Sequence, residues 1–326
     1  MLVPALLFVV GLVCLIKGGD WFVDGASALA RKFHLPELLI GATVVSIGTT
    51  LPEVMVSTIS AVGGHGEIAY GNAIGSVICN AALIAAITLA VRPGKADPKS
   101  LKLPVLFFFL AAAIYCVAAY LLGEFTRVVG FVMLAAFVAY MLLTVRQMKH
   151  NPQPAEAKAE AEDMPTGKMI LFLVVGAALI AVGAKLLVDN GTKIAQALGV
   201  PESVIALTFV ALGTSLPELV TAITSLVKGH SDLSLGNVIG ANVFNLVLVS
   251  GLCVTLAPFS VPVTAKLGAY NSSLVLEIPL MILVMLILTL PALWKGKLSR
   301  AQGFLLLAIY AAFCVVQFAV VTPVAS

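Results

Sequence analysis

The stretch Gly48-Thr49-Thr50-Leu51-Pro52-Glu53 returns 165 residues later as Gly213-Thr214-Ser215-Leu216-Pro217-Glu218, and both copies lie inside apolar runs long enough for membrane helices. A carboxylate in hydrocarbon is costly, so it normally faces a protein interior or a water-filled cavity and marks an ion or proton path. Each of these glutamates follows a proline and stands near two hydroxyls. The same shift aligns 36–80 with 201–245 without a gap, and 19 of those 45 positions are identical. The matches include Pro36/Pro201, Glu37/Glu202, His65/His230, Gly71/Gly236, Asn72/Asn237, Gly75/Gly240 and Asn80/Asn245, and upstream Gly18/Gly183 and Asp24/Asp189 keep the offset. The chain therefore reads as two homologous halves.

The 326 residues are 60% hydrophobic and 11% charged, whereas a soluble domain carries about 25% charged residues. Continuous runs such as 103–122 exclude the alternating strands of a membrane barrel and match the roughly 20 residues of a helical span. Ten spans follow, near 2–28, 36–64, 67–91, 103–122, 126–145, 168–193, 201–227, 231–257, 270–292 and 303–322. Those near 28 residues are long enough to require tilt or a break. The start of the chain lacks a basic n-region and reads as a retained first span.

The fold class expected is thus an all-α polytopic membrane protein, with ten transmembrane helices in two five-helix repeats. These are residues 1–146 and 168–326, joined by a polar linker at 147–167. An odd number of spans per half makes the second half enter the membrane from the opposite side, giving inverted-topology repeats with a site near the midplane. Fourteen of the 19 Lys and Arg residues fall in one alternate set of loops and three in the other. The richer side is expected to be cytoplasmic, with both termini on the outer, periplasmic side of a bacterial-type inner membrane. The net charge of +3 reports topology and does not suggest nucleic acid. The five cysteines, Cys14, Cys79, Cys116, Cys253 and Cys314, sit in apolar runs and read as small core residues.

Pro52 has no N–H, so the Gly48 carbonyl loses its helical partner. Free carbonyls at membrane depth are tolerated where they line a cavity or meet a ligand. Beside them stand the hydroxyls of Thr49 and Thr50 and the carboxylate of Glu53, with Ser57 and Ser60 continuing the polar stripe. The second copy offers the Gly213 carbonyl, Thr214, Ser215 and Glu218. Together they form an all-oxygen donor set suited to hard cations such as Ca²⁺ or Na⁺ and unlike the sulfur or nitrogen sets of softer metals. Two carboxylates balance one Ca²⁺; left empty they repel, which favours protons or monovalent cations and gives a reason for exchange. A second motif, Gly71-Asn72-Ala-Ile-Gly75-Ser76-Val-Ile-Cys-Asn80, repeats as Gly236-Asn237-Val-Ile-Gly240-Ala241-Asn-Val-Phe-Asn245. Asn72, Ser76 and Asn80 share a helix face, and Gly71 and Gly75 are spaced for close approach of another backbone.

These paired motifs resemble the α-repeats of the cation/Ca²⁺ exchanger superfamily, closest to its prokaryotic sodium/calcium exchanger branch. The resemblance implies Ca²⁺ held by Glu53, Glu218, Thr49 and Thr214. It implies flanking Na⁺ positions at Ser46, Thr50, Ser76, Asn80, Ala211, Ser215 and Asn245, with the glutamates shared. It also implies alternating access in which the first span of each half slides past the rest. Two departures stand out: Asn245 is neutral where several sodium/calcium exchangers carry an acid, and Ala241 stands where the family often has a hydroxyl. The expected activity is Ca²⁺/Na⁺ antiport without a resident cofactor, the ions being cargo, with H⁺-driven or K⁺-dependent exchange as alternatives. A cation channel fits inverted halves less well, and an intramembrane enzyme lacks a Ser/His or paired-aspartate arrangement. Outside the motifs, Asp24 and Asp189 read as span-end groups, His65 and His230 as turn residues, Glu277 as an interfacial carboxylate, and Lys17 as a snorkelling side chain.

Overall fold

A computed structural model describes residues 2–94, 96–150, 164–197, 213–263, 265–319 and 322–323. Its helices are α1 (Leu2–Lys32), α2 (Glu37–Val62), α3 (Gly66–Val91), α4 (Pro98–Leu122), α5 (Arg127–His150), α6 (Thr166–Ala197), α7 (Leu216–Val227), α8 (Ser231–Leu256), α9 (Ser273–Lys295) and α10 (Arg300–Ala319). Among the described residues nine helices are long and apolar enough to cross a membrane, and α7 is a shorter apolar one. The start of the expected seventh span and most of the linker lie outside the described residues. Side chains such as Leu6, Val9, Val13 and Ile16 on α1 and Leu142 on α5 are exposed, as lipid-facing surfaces require. The chain is a multi-pass membrane protein.

The repeat is visible residue by residue. Helices α3 and α8 begin and end at positions 165 apart, and each contains a π-helical turn at matching places, Asn80–Ile84 and Asn245–Val249. The turns before them match too. Gly64 and Gly229 adopt φ of 87° and 86°, a left-handed conformation that glycine takes without steric cost, and the amides of His65 and His230 bond the Ser60 and Ser225 carbonyls at 2.9 and 2.7 Å.

The chain forms two compact units that cut across the halves: Met1–Pro52 with Met148–Asn237, and Glu53–Gln147 with Val238–Ser326. The first unit is built on α1 and α6. A β-carbon at Gly11 would sit 2.9 Å from the Gly183 carbonyl oxygen, one at Gly18 2.9 Å from that of Gly176, and one at Gly25 3.1 Å from that of Met169. As α1 advances by seven residues, α6 retreats by seven. The first spans of the two halves therefore run antiparallel, as inverted repeats demand, and glycines at heptad spacing bring their backbones together. Helix α1 is unbroken over 31 residues, about 46 Å at 1.5 Å per residue. That exceeds the roughly 30 Å hydrocarbon core and leaves tilt as the way to fit it.

Helix α2 is interrupted, but not where the proline stands. It runs on through Pro52, and the irregularity is a π-helical turn at Gly41–Val45. The Ser46 hydroxyl donates toward the Gly41 carbonyl at 2.9 Å, and Ser250 does the same for the Asn245 carbonyl at 2.9 Å; in both turns a hydroxyl five residues on meets a carbonyl of the widened turn. Gly48 is required by packing: a β-carbon there would lie 2.5 Å from the Phe22 ring.

Asp24 is more than a solvated span end. Lys228 Nζ lies 2.8 Å from Asp24 Oδ1 and 3.5 Å from Asp20 Oδ1, tying the α7–α8 turn to α1. His230, read as a turn residue, also places Nδ1 2.8 Å from Glu37 Oε1. Its counterpart His65 stands 3.5 Å from Glu67 on an exposed surface. Asp189 pairs with Lys185 at 3.0 Å.

In the second unit, Tyr70, Tyr115, Phe125 and Phe259 form a chain of ring contacts with centroids 5.0–6.3 Å apart. Over it, β1 (Glu124–Phe125) pairs antiparallel with β2 (Phe259–Ser260). Nearby connections form a small antiparallel sheet in which β3 (Ala265–Leu267) pairs with both β4 (Tyr270–Asn271) and β5 (Thr322–Pro323).

Candidate functional site

The two glutamates singled out by the repeat are both 0% exposed. Their helices deliver them differently. Glu53 sits in mid-helix on α2, one turn beyond Thr49. Glu218 lies in the first turn of α7, which starts after a turn at Gly213–Ser215 with Pro217 at its beginning. The Gly213 carbonyl, expected to be free, accepts from the Leu216 amide at 3.4 Å. One copy of the motif is thus a continuous helix and the other a helix start, which aims backbone N–H groups at the acidic side chain.

In the first unit, Glu218 is surrounded by hydroxyls. Those of Thr49 and Thr50 stand beside its carboxylate, and Ser215 and Thr221 on its own segment are buried. Asn237 organises this group from the first turns of α8. Its Oδ1 accepts from Thr49 at 3.2 Å and lies 3.4 Å from the Ser46 hydroxyl, while its carbonyl is 3.1 Å from Ser46 Oγ. A hydroxyl has one proton. Thr49 gives its proton to Asn237 and Ser46 gives its own to a carbonyl, that of Gly41 or of Asn237, so both oxygens present only lone pairs elsewhere, which is what a cation needs. Thr214 is half-buried in the turn that precedes Glu218.

This arrangement depends on close packing of α2 against α8. A β-carbon at Gly236 would lie 2.0 Å from the Leu38 carbonyl oxygen, and one at Gly41 would lie 2.3 Å from that of Leu233. The glycine approach expected of the second motif is therefore present at Gly236. At Gly71 and Gly75 a β-carbon would meet nothing within 4 Å among the described residues, and the segment that corresponds to Leu38 in the other half lies at 198–212, outside them.

In the second unit, Glu53, Ser57, Ser76, Asn80 and Asn245 are all buried. Asn72 donates to Ser57 Oγ at 2.8 Å, fixing the polar face of α3 against the stripe that begins at Glu53. The amide groups of Asn80 and Asn245 have no hydrogen-bond partner among the described residues, although buried amides are normally satisfied. Each opens a π-helical turn. Ala241 occupies the Ser76 position, and its neighbour Asn242 reaches instead to Met285 Sδ at 3.2 Å. Ala211 lies outside the described residues.

The family model for sodium/calcium exchanger protein matches residues 3–146 and 168–319. The chain belongs to the sodium/calcium exchanger family. Relatives include Sodium/calcium exchanger MaX1 of Methanosarcina acetivorans, 31% identical over 96% of this chain and 98% of its own length. Inner membrane protein YrbG of Escherichia coli is 36% identical over 85% of this chain and 87% of its own length. Among solved structures, the sodium-calcium exchanger NCX_Mj soaked with 2.5 mM Na⁺ and 10 mM Sr²⁺ superposes with a TM-score of 0.80 and 31% identity, covering 96% of this chain and 98% of the other. The family places the chain among transporters and not among enzymes, so the intramembrane-enzyme reading is set aside.

Sequence reading did not assign Asn237 a part in organising the first-unit cluster. The signal was present, since Asn72 and Asn237 are identical across the repeat, but spacing does not say which helix an amide will meet. The π-helical turns also escaped, because no residue type marks them.

Proposed function

We propose that the protein is a secondary antiporter that exchanges Ca²⁺ for Na⁺ across a bacterial-type inner membrane by alternating access, with Glu53 and Glu218 as shared ligands. The observation that carries this reading is the complete burial of both repeated carboxylates, one of them with hydroxyls on its borders, in a chain of the sodium/calcium exchanger family. Ca²⁺ is held by Glu53, Glu218, Thr49 and Thr214. Na⁺ is held by Ser46, Thr50, Ser76, Asn80, Ser215 and Asn245 with the same glutamates, and Ala211 contributes backbone alone. The five-helix repeats 1–146 and 168–326 act as the functional halves, with α1 and α6 as the moving pair. The glycine-lined contact between these two helices suits sliding, because small residues leave few side chains to disengage. Both termini lie on the outer side, following the Lys and Arg bias, and the name of the Escherichia coli relative supports the inner membrane.

Purified protein in liposomes tests the reading. A Na⁺ gradient is expected to drive radiolabelled Ca²⁺ uptake. Uptake driven only by a pH gradient would replace Na⁺ with H⁺, and a requirement for K⁺ would make the exchange K⁺-dependent. Large unitary currents without a counter-ion would indicate a channel.

Asn237→Ala checks the arrangement around Ser46 and Thr49. It removes the Oδ1 that accepts from Thr49 at 3.2 Å, while Ser46 keeps the Gly41 and Asn237 carbonyls. One such bond is worth about 0.5–1.5 kcal/mol, so the half-saturating Na⁺ concentration is expected to rise about two- to tenfold. The assay is Na⁺-dependent Ca²⁺ release from loaded liposomes.

A further inference from the structure

Helix α1 carries two carboxylates one turn apart, Asp20 and Asp24, beside the turn that joins α7 to α8. Lys228 in that turn places Nζ 2.8 Å from Asp24 Oδ1, 2.9 Å from the Asp20 carbonyl oxygen and 3.5 Å from Asp20 Oδ1. An ammonium has three donors, and here three oxygens of one helix receive them. The two helices are pressed together along the same line: a β-carbon at Gly19 would lie 2.7 Å from Val220 Cγ1 and 3.0 Å from Thr224 Oγ1 of α7. The turn itself is fastened elsewhere, because His230 Nδ1 lies 2.8 Å from Glu37 Oε1 at the start of α2. Lys228 is thus anchored on α7 and α2 and grips α1.

The opposite end of the repeat is equipped differently. Under the 165-residue shift the counterpart of Lys228 is Gly63, and that of Asp20 is Lys185. Asp189, the counterpart of Asp24, is met by this Lys185 at 3.0 Å within α6 itself. His65 likewise faces Glu67 of its own helix, where His230 faces Glu37 of another. In α6 the cation therefore travels with the helix, whereas the cation that serves α1 belongs to a neighbour.

Inverted repeats make the two access states exchange the roles of the halves. Equal contacts at both ends would give these states equal energy, and a contact present at one end alone makes them unequal. We propose that Lys228 is a latch on α1, which through Asp20 and Asp24 favours the state closed at this face, the cytoplasmic one by the Lys and Arg bias. The proposal rests on the antiport reading with α1 and α6 as the moving pair. A slide of α1 past α7 parts Lys228 from its oxygens, while a slide of α6 leaves Lys185 and Asp189 together. The side chains of Lys228, Asp24 and Asp20 are 25%, 42% and 38% exposed, so water receives the charges when they separate and the latch opens without leaving a bare ion in an apolar place.

Two variants test it. K228Q removes the charge, and D20K with K228G gives the α1 end the residues of the α6 end. Na⁺/Ca²⁺ exchange is measured in oriented proteoliposomes at constant ionic strength, with Ca²⁺ varied on one face at a time. Half-saturating Ca²⁺ is expected to rise at the outer face and to fall at the cytoplasmic face, so that their ratio increases about two- to fivefold. Damage to the fold or to the ion site would weaken both faces together; a parallel change, or none, overturns the proposal. A second measurement does not need transport. Spin labels at V3C on α1 and I223C on α7, both exposed positions, are placed in a cysteine-free background in ion-free nanodiscs. Loss of the Lys228 charge is expected to enlarge a second distance population by about the same factor, and identical distributions with and without it overturn the latch. Should K228Q fail to fold, D20N with D24N takes its place under the same criteria. If the parent protein moves no Ca²⁺ under a Na⁺ gradient, the antiport reading fails, and the label distances alone decide whether Lys228 holds α1.

Discussion

Glutamine at position 53 or at position 218 is expected to reduce gradient-driven Ca²⁺ uptake by at least about a hundredfold, a loss of about 3 kcal/mol or more in cation stabilisation. The substitution keeps the size of the side chain and one oxygen acceptor while removing a full negative charge. For a divalent ion in a site walled from water, that charge has no substitute: both glutamates are 0% exposed, and the neighbours of Glu218 are neutral hydroxyls. The same change should leave folding intact, because a buried carboxylate that loses its charge no longer has to be desolvated. The decisive comparison is uptake against thermal stability in ion-free buffer. Lost uptake with preserved unfolding temperature supports the two-glutamate site, whereas full transport by both variants would contradict it.

A methyl group at Gly236 is expected to be nearly as damaging, by a different route. The added carbon would lie 2.0 Å from the Leu38 carbonyl oxygen, far inside van der Waals contact, and the obstacle is backbone that cannot swing away. Overpacking of this kind costs about 1–3 kcal/mol and occasionally more, and Gly236→Ala belongs at or above the upper end. Its effect also reaches the ion-binding groups. Asn237 is the next residue, so pushing α8 away from α2 pulls the acceptor from Ser46 and Thr49. Gly41→Ala, with its 2.3 Å approach to Leu233, should behave alike. Unfolding temperature in detergent reports the packing, and the half-saturating Na⁺ concentration of any folded fraction reports the site. Wild-type values for both would show that the helices have room to part.

The glutamates, their hydroxyl neighbours and the twofold repeat were legible because hydrocarbon tolerates few polar groups, so those that remain stand out against an apolar background. Gly48 enters the sequence reading only through its carbonyl, yet its missing side chain makes room for the Phe22 ring. Pro52 lacks the N–H that the Gly48 carbonyl would meet, yet the helix continues through it and widens earlier, at Gly41–Val45. A one-dimensional pattern tells that a backbone is free to deform but not which neighbour it will meet. The same holds for Glu277, which has no partner under the 165-residue shift and which the Ser272 and Ser273 hydroxyls and the Gln317 amide of α10 reach.

The amino-acid order alone determined that the chain spans the membrane many times, that its two halves enter from opposite sides, and that an acidic residue recurs at the same point in each. These properties follow from hydropathy and from counting, and they need no knowledge of contacts. Only the tertiary structure decided that heptad glycines pair α1 with α6 and that Asn237 holds Ser46 and Thr49. Those features arise between residues tens to hundreds of positions apart, where close packing and hydrogen-bond direction, set by the folded backbone, choose among partners the sequence leaves equivalent.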